Sequence, residues 1–196
     1  MILPMTPPDA PDPRRNQRLN LSAGLASVTV AVTLVALKLW AMIATGALSI
    51  AASLADNALD VMTSVGALAA IAYAARPADD DHTFGHSSAE DLAALLQSAL
   101  VLLSSTMIAV VALRRLFASD ASPVEAEGAG IAVMVVAMVL TGGLVLWQRH
   151  VARVTGNRVV AADSLHYLGD LLPTGGVLIA LGSSALWGLA RVDSVI

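Results

Sequence analysis

Cysteine is absent from this 196-residue chain, and charged residues make up only 13% of it. The first absence excludes disulfides and thiolate metal sites and leaves the redox compartment unread. Any metal chemistry must then rest on imidazole and carboxylate. The scarcity of charge argues against a soluble domain, in which about 45–50% of residues are apolar and about 25% charged. Here 57% are apolar and the mean hydropathy is +0.74. The few basic residues are dispersed along the chain, so no nucleic-acid footprint is present. A P-loop is lacking, and neither an H-E-x-x-H pattern nor an adjacent nucleophile–base pair supports an intramembrane metalloenzyme. The net charge of −4 decides little, because the placement of charge matters more than its sum.

What the chain does have is apolar runs. They cover approximately residues 19–45, 47–75, 92–117, 128–147 and 159–189, with short polar separators. Each meets or exceeds the roughly 20 residues that cross a hydrocarbon core of about 30 Å. The second is long enough to protrude into water at one end. The expected fold is an all-α integral membrane protein, a bundle of about five transmembrane helices over residues 19–196. Residues 1–18, with Pro4, Pro7, Pro8, Pro11 and Pro13, read as a flexible cytoplasmic tail. A signal peptide is not expected: Arg14, Arg15 and Arg18 precede a run too long for an h-region, and no small-residue cleavage pattern follows. With the N-terminus inside, Arg14, Arg15, Arg18, Arg76, Arg149, Arg153 and Arg158 are cytoplasmic, against Arg114, Arg115 and Arg191 outside. That asymmetry favours a multi-pass protein of the inner (plasma) membrane with a cytoplasmic N-terminus.

Charges inside the runs are the anomaly. Asp56 and Asp60 lie one helical turn apart in the second run, and His166 and Asp170 have the same spacing in the fifth. Positions i and i+4 project from one helix face. A carboxylate at the bilayer centre costs roughly 2.5–3.5 kcal/mol on insertion scales, so these acids need a compensating cation. Ser49, Ser53, Asp56, Asp60 and Thr63 form a narrow polar stripe that should face a cavity or another helix. Lys38 in the first run is the one salt-bridge partner at hand; a divalent metal ion held by the two pairs is the favoured reading. Asp163, close to the start of the fifth run, is read as an acid placed by the helix dipole. Pro173, Gly175 and Gly176 follow the second pair and predict a bend, either mobile or static.

The loop after the second run gathers Asp79, Asp80, Asp81, His82 and His86 around Gly85, which permits a tight turn. Ser87 and Glu90 then form an S-x-x-E capping box that opens the third helix. A solvated acidic loop and a second cation site are both compatible with this spacing.

The segment Arg76-Pro-Ala-Asp-Asp-Asp-His-Thr-Phe-Gly-His86, followed by Glu90, resembles the second-loop signature of the cation diffusion facilitator family. The Asp56/Asp60 and His166/Asp170 pairs resemble its transmembrane metal site, with the likeness strongest to the bacterial zinc and ferrous-iron efflux branch. The resemblance runs from about Leu19 to the end. It implies a tetrahedral site formed by Asp56, Asp60, His166 and Asp170, and a loop site formed by Asp79, His82 and His86 with Asp80 beside them. It also implies a homodimer that exports a divalent cation in exchange for protons by alternating access. The cation expected first is Zn²⁺, with Fe²⁺, Cd²⁺ and Co²⁺ as others, and protons are the counter-ion. Two departures stand out. The family usually has a sixth helix and a cytoplasmic C-terminal domain, whereas this chain stops at Ile196, so a truncated six-helix domain is expected; and Ser88 stands where related efflux proteins tend to carry Lys. The expected activity is therefore secondary transport and not catalysis. The alternative is a transport-inactive metal-binding membrane protein or sensor.

Overall fold

The computed structural model describes residues 13–45, 48–117 and 128–187, and among them there is helix, turn and irregular loop but no strand. The helices are α1 (Pro13–Thr45), α2 (Leu48–Ala74), α3 (Ser88–Phe117), α4 (Gly128–Thr155) and α5 (Arg158–Trp187). Long runs of Ala, Leu, Ile, Val and Met give helix because in lipid every backbone donor must be met within its own segment. At about 1.5 Å per residue each helix exceeds the thickness of a bilayer core.

The ends follow local chemistry. Pro13 opens α1, a position where a missing N–H costs nothing. Residues 13–18, placed in the flexible tail by the sequence, are therefore helical; residues 1–12 lie outside the described part. A loose turn closes α2, with the Arg76 N–H donating to the Tyr73 carbonyl at 3.0 Å, and Pro77 bars continuation. Glu90 and Asp91 sit in the first turn of α3, where the helix dipole favours acids. Gly156 takes φ +71° beyond α4, and its N–H donates to the Ala152 carbonyl at 2.9 Å. Asn157 then caps α5, its Oδ1 accepting from the Val160 N–H at 3.0 Å. Helix α5 runs on through Pro173.

Contacts join α3 to α2, α2 to α1, α1 to α4, α4 to α5 and α5 back to α3, so the five helices close a ring. Helices α2 and α5 share few direct contacts. Small residues let α1 in close: Ala23, Ala31 and Ala41 are buried. At Gly24 a Cβ would come within 2.9 Å of Leu68 Cδ1.

The bundle is inverted relative to a soluble core. Leu59, Met62, Leu95, Leu102, Val139 and Leu146 are exposed, whereas Ser27, Asn57, Ser64, Gln97, Gln148 and Asp163 are buried. Apolar side chains turned outward over so much surface require lipid. Within the described residues, Pro13–Ile43, Asp56–Ala74 and Ile131–Thr155 are each long and apolar enough to cross a membrane. The other two expected spans are helical where expected. They carry their polar residues inside the run: Gln97, Ser98 and Thr106 on α3, and Asp163, His166 and Asp170 on α5.

Candidate metal centre

Asp60 on α2 meets His166 and Asp170 on α5. His166 Nε2 lies 3.0 Å from Asp60 Oδ1 and 3.8 Å from Asp170 Oδ2. One potential ligand atom from each residue lies within 4.8 Å of the others. The side chains of His166 and Asp60 are 18% and 15% exposed, and that of Asp170 is 48% exposed, so the group opens to one side. Ligands about 2.0–2.2 Å from a tetrahedral ion are roughly 3.3–3.6 Å apart, and the two measured separations bracket that range. A nitrogen and a carboxylate oxygen 3.0 Å apart are within hydrogen-bond reach. A proton between them would stand on the lone pair a metal ion would take.

Asp56, expected as a fourth member, is exposed one turn away and lies outside this cluster. The polar stripe read from the sequence is rotated. Thr63 folds its hydroxyl back onto the Asp60 carbonyl at 2.9 Å, and the side chains of Ser49 and Ser53 lie outside those described. The face of α2 turned into the bundle runs instead through Asn57, Asp60, Ser64, Ala67 and Ile71. Asn57 Oδ1 accepts a hydrogen bond from Lys38 Nζ on α1, which puts the ammonium one turn from Asp60.

Asp163 corrects another expectation. It is not a first-turn acid, since Asn157 caps α5 and no acid lies in the first turn. Its side chain is 2% exposed and faces the ring's interior. Ser27 Oγ on α1 donates to Oδ2 at 2.6 Å, Gln97 Nε2 on α3 donates to Oδ1 at 2.9 Å, and Gln148 Nε2 on α4 donates to Oδ2. Ser64 Oγ on α2 lies 2.9 Å from Ser27 Oγ and 2.8 Å from the Tyr167 hydroxyl. A serine has one hydrogen to give. With that of Ser27 committed to the carboxylate, Tyr167 donates to Ser64 and Ser64 to Ser27. The carboxylate thus ties α5 to α1, α3 and α4, Ser64 joins α2 to it through Ser27 and Tyr167, and α5 presents Asp163 and Tyr167 inward beside the His166/Asp170 pair. The signal for this knot was available, since Gln97 and Gln148 are amides within apolar helices, but nothing in the sequence pairs them.

The loop brings Asp79, His82 and His86 together, with Asp80 outside the cluster. Asp79 Oδ1 accepts from the His82 backbone N–H at 2.7 Å and lies 3.0 Å from His82 Nδ1; Asp79 Oδ2 lies 3.4 Å from His86 Nε2. Gly85 takes φ +82° in the turn, as its place suggested. Although the loop is exposed, His86 is buried, with the Tyr73 ring edge-on at 4.7 Å and the Arg76 guanidinium 5.1 Å over Tyr73. The hydrogen bond from the His82 side chain holds the Asp79 carboxyl below its ordinary value of 3.8 against opposing desolvation, aided by the His82 backbone N–H and the two imidazoles. A lowered carboxylate contributes stability above its unfolded value and loses it as pH falls through the folded one. Protection of the His82 amide, its exchange rate relative to the intrinsic rate at each pH, is therefore expected to hold from neutral pH down to 3.8 and to fall below it; equal protection in an Asp79→Ala variant would contradict this.

Residues 24–196 match the cation efflux transmembrane domain family. The cation-efflux pump FieF of Salmonella arizonae is 39% identical over 178 residues, covering 91% of this chain and 58% of that pump. FieF of Klebsiella pneumoniae is 38% identical with the same coverage, and FieF of Salmonella newport 39% identical. The chain spans 58% of the length of these relatives.

Proposed function

The chain belongs to the cation efflux family, the cation diffusion facilitators, and on that premise we propose that it exports a divalent transition-metal cation in exchange for protons. The observation that carries this is the convergence of His166 Nε2 with the Asp60 and Asp170 carboxylates, Nε2 lying 3.0 Å from Asp60 Oδ1 where a proton and a metal ion would compete. Metal ligands must be deprotonated, so metal entry releases a proton and protonation expels metal. Zn²⁺ suits imidazole with carboxylate best, and Fe²⁺, Cd²⁺ and Co²⁺ are tolerated, while a manganese-dedicated site would favour oxygen ligands. Asp56 joins as the fourth ligand when the ion binds. The loop cluster of Asp79, His82 and His86 takes a second ion, with Asp80 beside it.

Alternating access is supported by two features. Helices α2 and α5 carry the ligands yet share few contacts, so one can move against the other. Pro173 has no N–H for the Gly169 carbonyl, which loosens α5 just beyond Asp170. The reading includes the inner membrane, a cytoplasmic N-terminus supported by the arginine asymmetry, and a second copy of the chain as partner.

The test is Zn²⁺ flux into proteoliposomes under an imposed pH gradient. Wild type is expected to accumulate the ion, and Asp60→Ala and His166→Ala to fall to the rate of empty vesicles. Unchanged flux in both variants would overturn the assignment. Binding without flux in the wild type would identify the transport-inactive alternative.

A further inference from the structure

Lys38 is the chain's sole lysine, and it sits within an apolar helix, partly buried. Its Nζ donates to Asn57 Oδ1 on α2. Asn57 is 5% exposed, follows Asp56 directly and precedes Asp60 by one turn, so this bond delivers the ammonium to the ligand-bearing face. Asp60 in turn lies in the cluster with His166 and Asp170, so the bond to Asn57 sets the chain's one lysine ammonium on the helix face that carries these acids.

We propose that Lys38 is a resident counter-cation of the transmembrane site, which weakens its hold on the transported ion and so speeds release. This rests on the metal site assigned to Asp60, His166 and Asp170. The carboxylates of Asp56, Asp60 and Asp170 with one ammonium leave two negative charges, which a single divalent cation neutralises. Without Lys38 the vacant site would carry one more negative charge, and a bound divalent ion would leave the site anionic. Removing a unit positive charge near a doubly charged ion, at an effective dielectric constant of about 20, changes affinity by an order of magnitude or more. Asn57 is the positioning residue that holds the ammonium beside the acids without making it a ligand.

The sign of the effect separates this role from a structural one. If the Lys38–Asn57 bond merely braced the helices, its loss would loosen the site and weaken binding. If Lys38 acts by charge, its loss tightens binding and slows turnover. Zn²⁺ affinity is measured by titration calorimetry on the full chain in lipid nanodiscs, in a His82→Ala, His86→Ala background that removes the loop ligands. Lys38→Gln is expected to bind Zn²⁺ at least about tenfold tighter, and Lys38→Arg, which keeps the charge, to stay within about twofold of its parent. In proteoliposomes Lys38→Gln lowers both KM and the maximal pH-driven rate. If the glutamine variant fails to fold, judged by helical circular dichroism, Lys38→Met carries the same test. Unchanged or weaker binding in the neutral variant, with Asp60→Asn still abolishing Zn²⁺ binding, overturns the role of Lys38 alone. Zn²⁺ binding unaltered by Asp60→Asn overturns the site itself and the proposal with it.

Discussion

Asp163→Ala is expected to cost about 3–5 kcal/mol of stability, the range for removing one partner from a buried charged network. The hydrogen bonds themselves do not account for this. Side-chain hydrogen bonds between membrane helices average only about 0.6 kcal/mol, because the separated helices find other partners. The Asp163 carboxylate accepts three, from Ser27, Gln97 and Gln148, which gives roughly 2 kcal/mol on that scale. The remainder comes from donors on three helices left pointing at an empty space, each unmet group costing about 1–3 kcal/mol less whatever relaxation recovers. Asp163→Asn should cost far less, about 1–2 kcal/mol. The new amide places one donor against the glutamines, but Gln97 Oε1 and Gln148 Oε1 are both buried without partners among the described residues, so either side chain can turn over and accept it. Unfolding in detergent micelles followed by far-UV circular dichroism checks both values. Equal losses for Ala and Asn would mean that the negative charge, and not the pattern of donors, is what the five helices require.

The knot also marks where the sequence stops being legible. Helix positions could be read because a bilayer demands about 20 apolar residues per crossing, and each expected run contains a helix. The His166/Asp170 pair and Asp60 could be read because a charge in such a run is conspicuous and i, i+4 spacing fixes its face. Asp163 looked like a helix-start acid because it is near the beginning of α5 and its partners lie on three other helices, at separations of 136, 66 and 15 residues. Pattern within one helix cannot report such pairings. The rotation of the α2 stripe has a similar origin. Thr63 satisfies its hydroxyl on the Asp60 carbonyl of its own helix, so counting it as polar pulls the apparent face away from the true one. Asn57 and Ser64, which make bonds between helices, define it better. The bond from Lys38 to Asn57 was not legible, because a neutral amide gives no reason to expect it.

Asp60→Asn is expected to weaken Zn²⁺ binding at the transmembrane site at least about 100-fold, equivalent to about 2.7 kcal/mol. The carboxylate lost is both a ligand candidate and the acceptor that orients His166, 3.0 Å away, and loss of orienting contacts alone typically costs about 10–100-fold in metal affinity. Asp56→Asn should lose only about tenfold, because that side chain is exposed and outside the cluster and contributes by long-range attraction and late ligation. The same pair can be read by stability. With Zn²⁺ at about 100 times its Kd, binding adds about 2.7 kcal/mol to the folded state. Wild type should show that gain at neutral pH and lose it as the medium is acidified, since protons and metal compete for the same ligand atoms. Asp60→Asn should keep no more than about 0.4 kcal/mol of it at that Zn²⁺ concentration, once the loop ligands His82 and His86 have been replaced. Should Asp56→Asn fall as far as Asp60→Asn, then the bound ion draws both acids of α2 into equal ligation, and metal entry must turn the exposed Asp56 inward by one helix face. Such a movement at the junction of α2 with α5 is the local step on which exchange of access would depend.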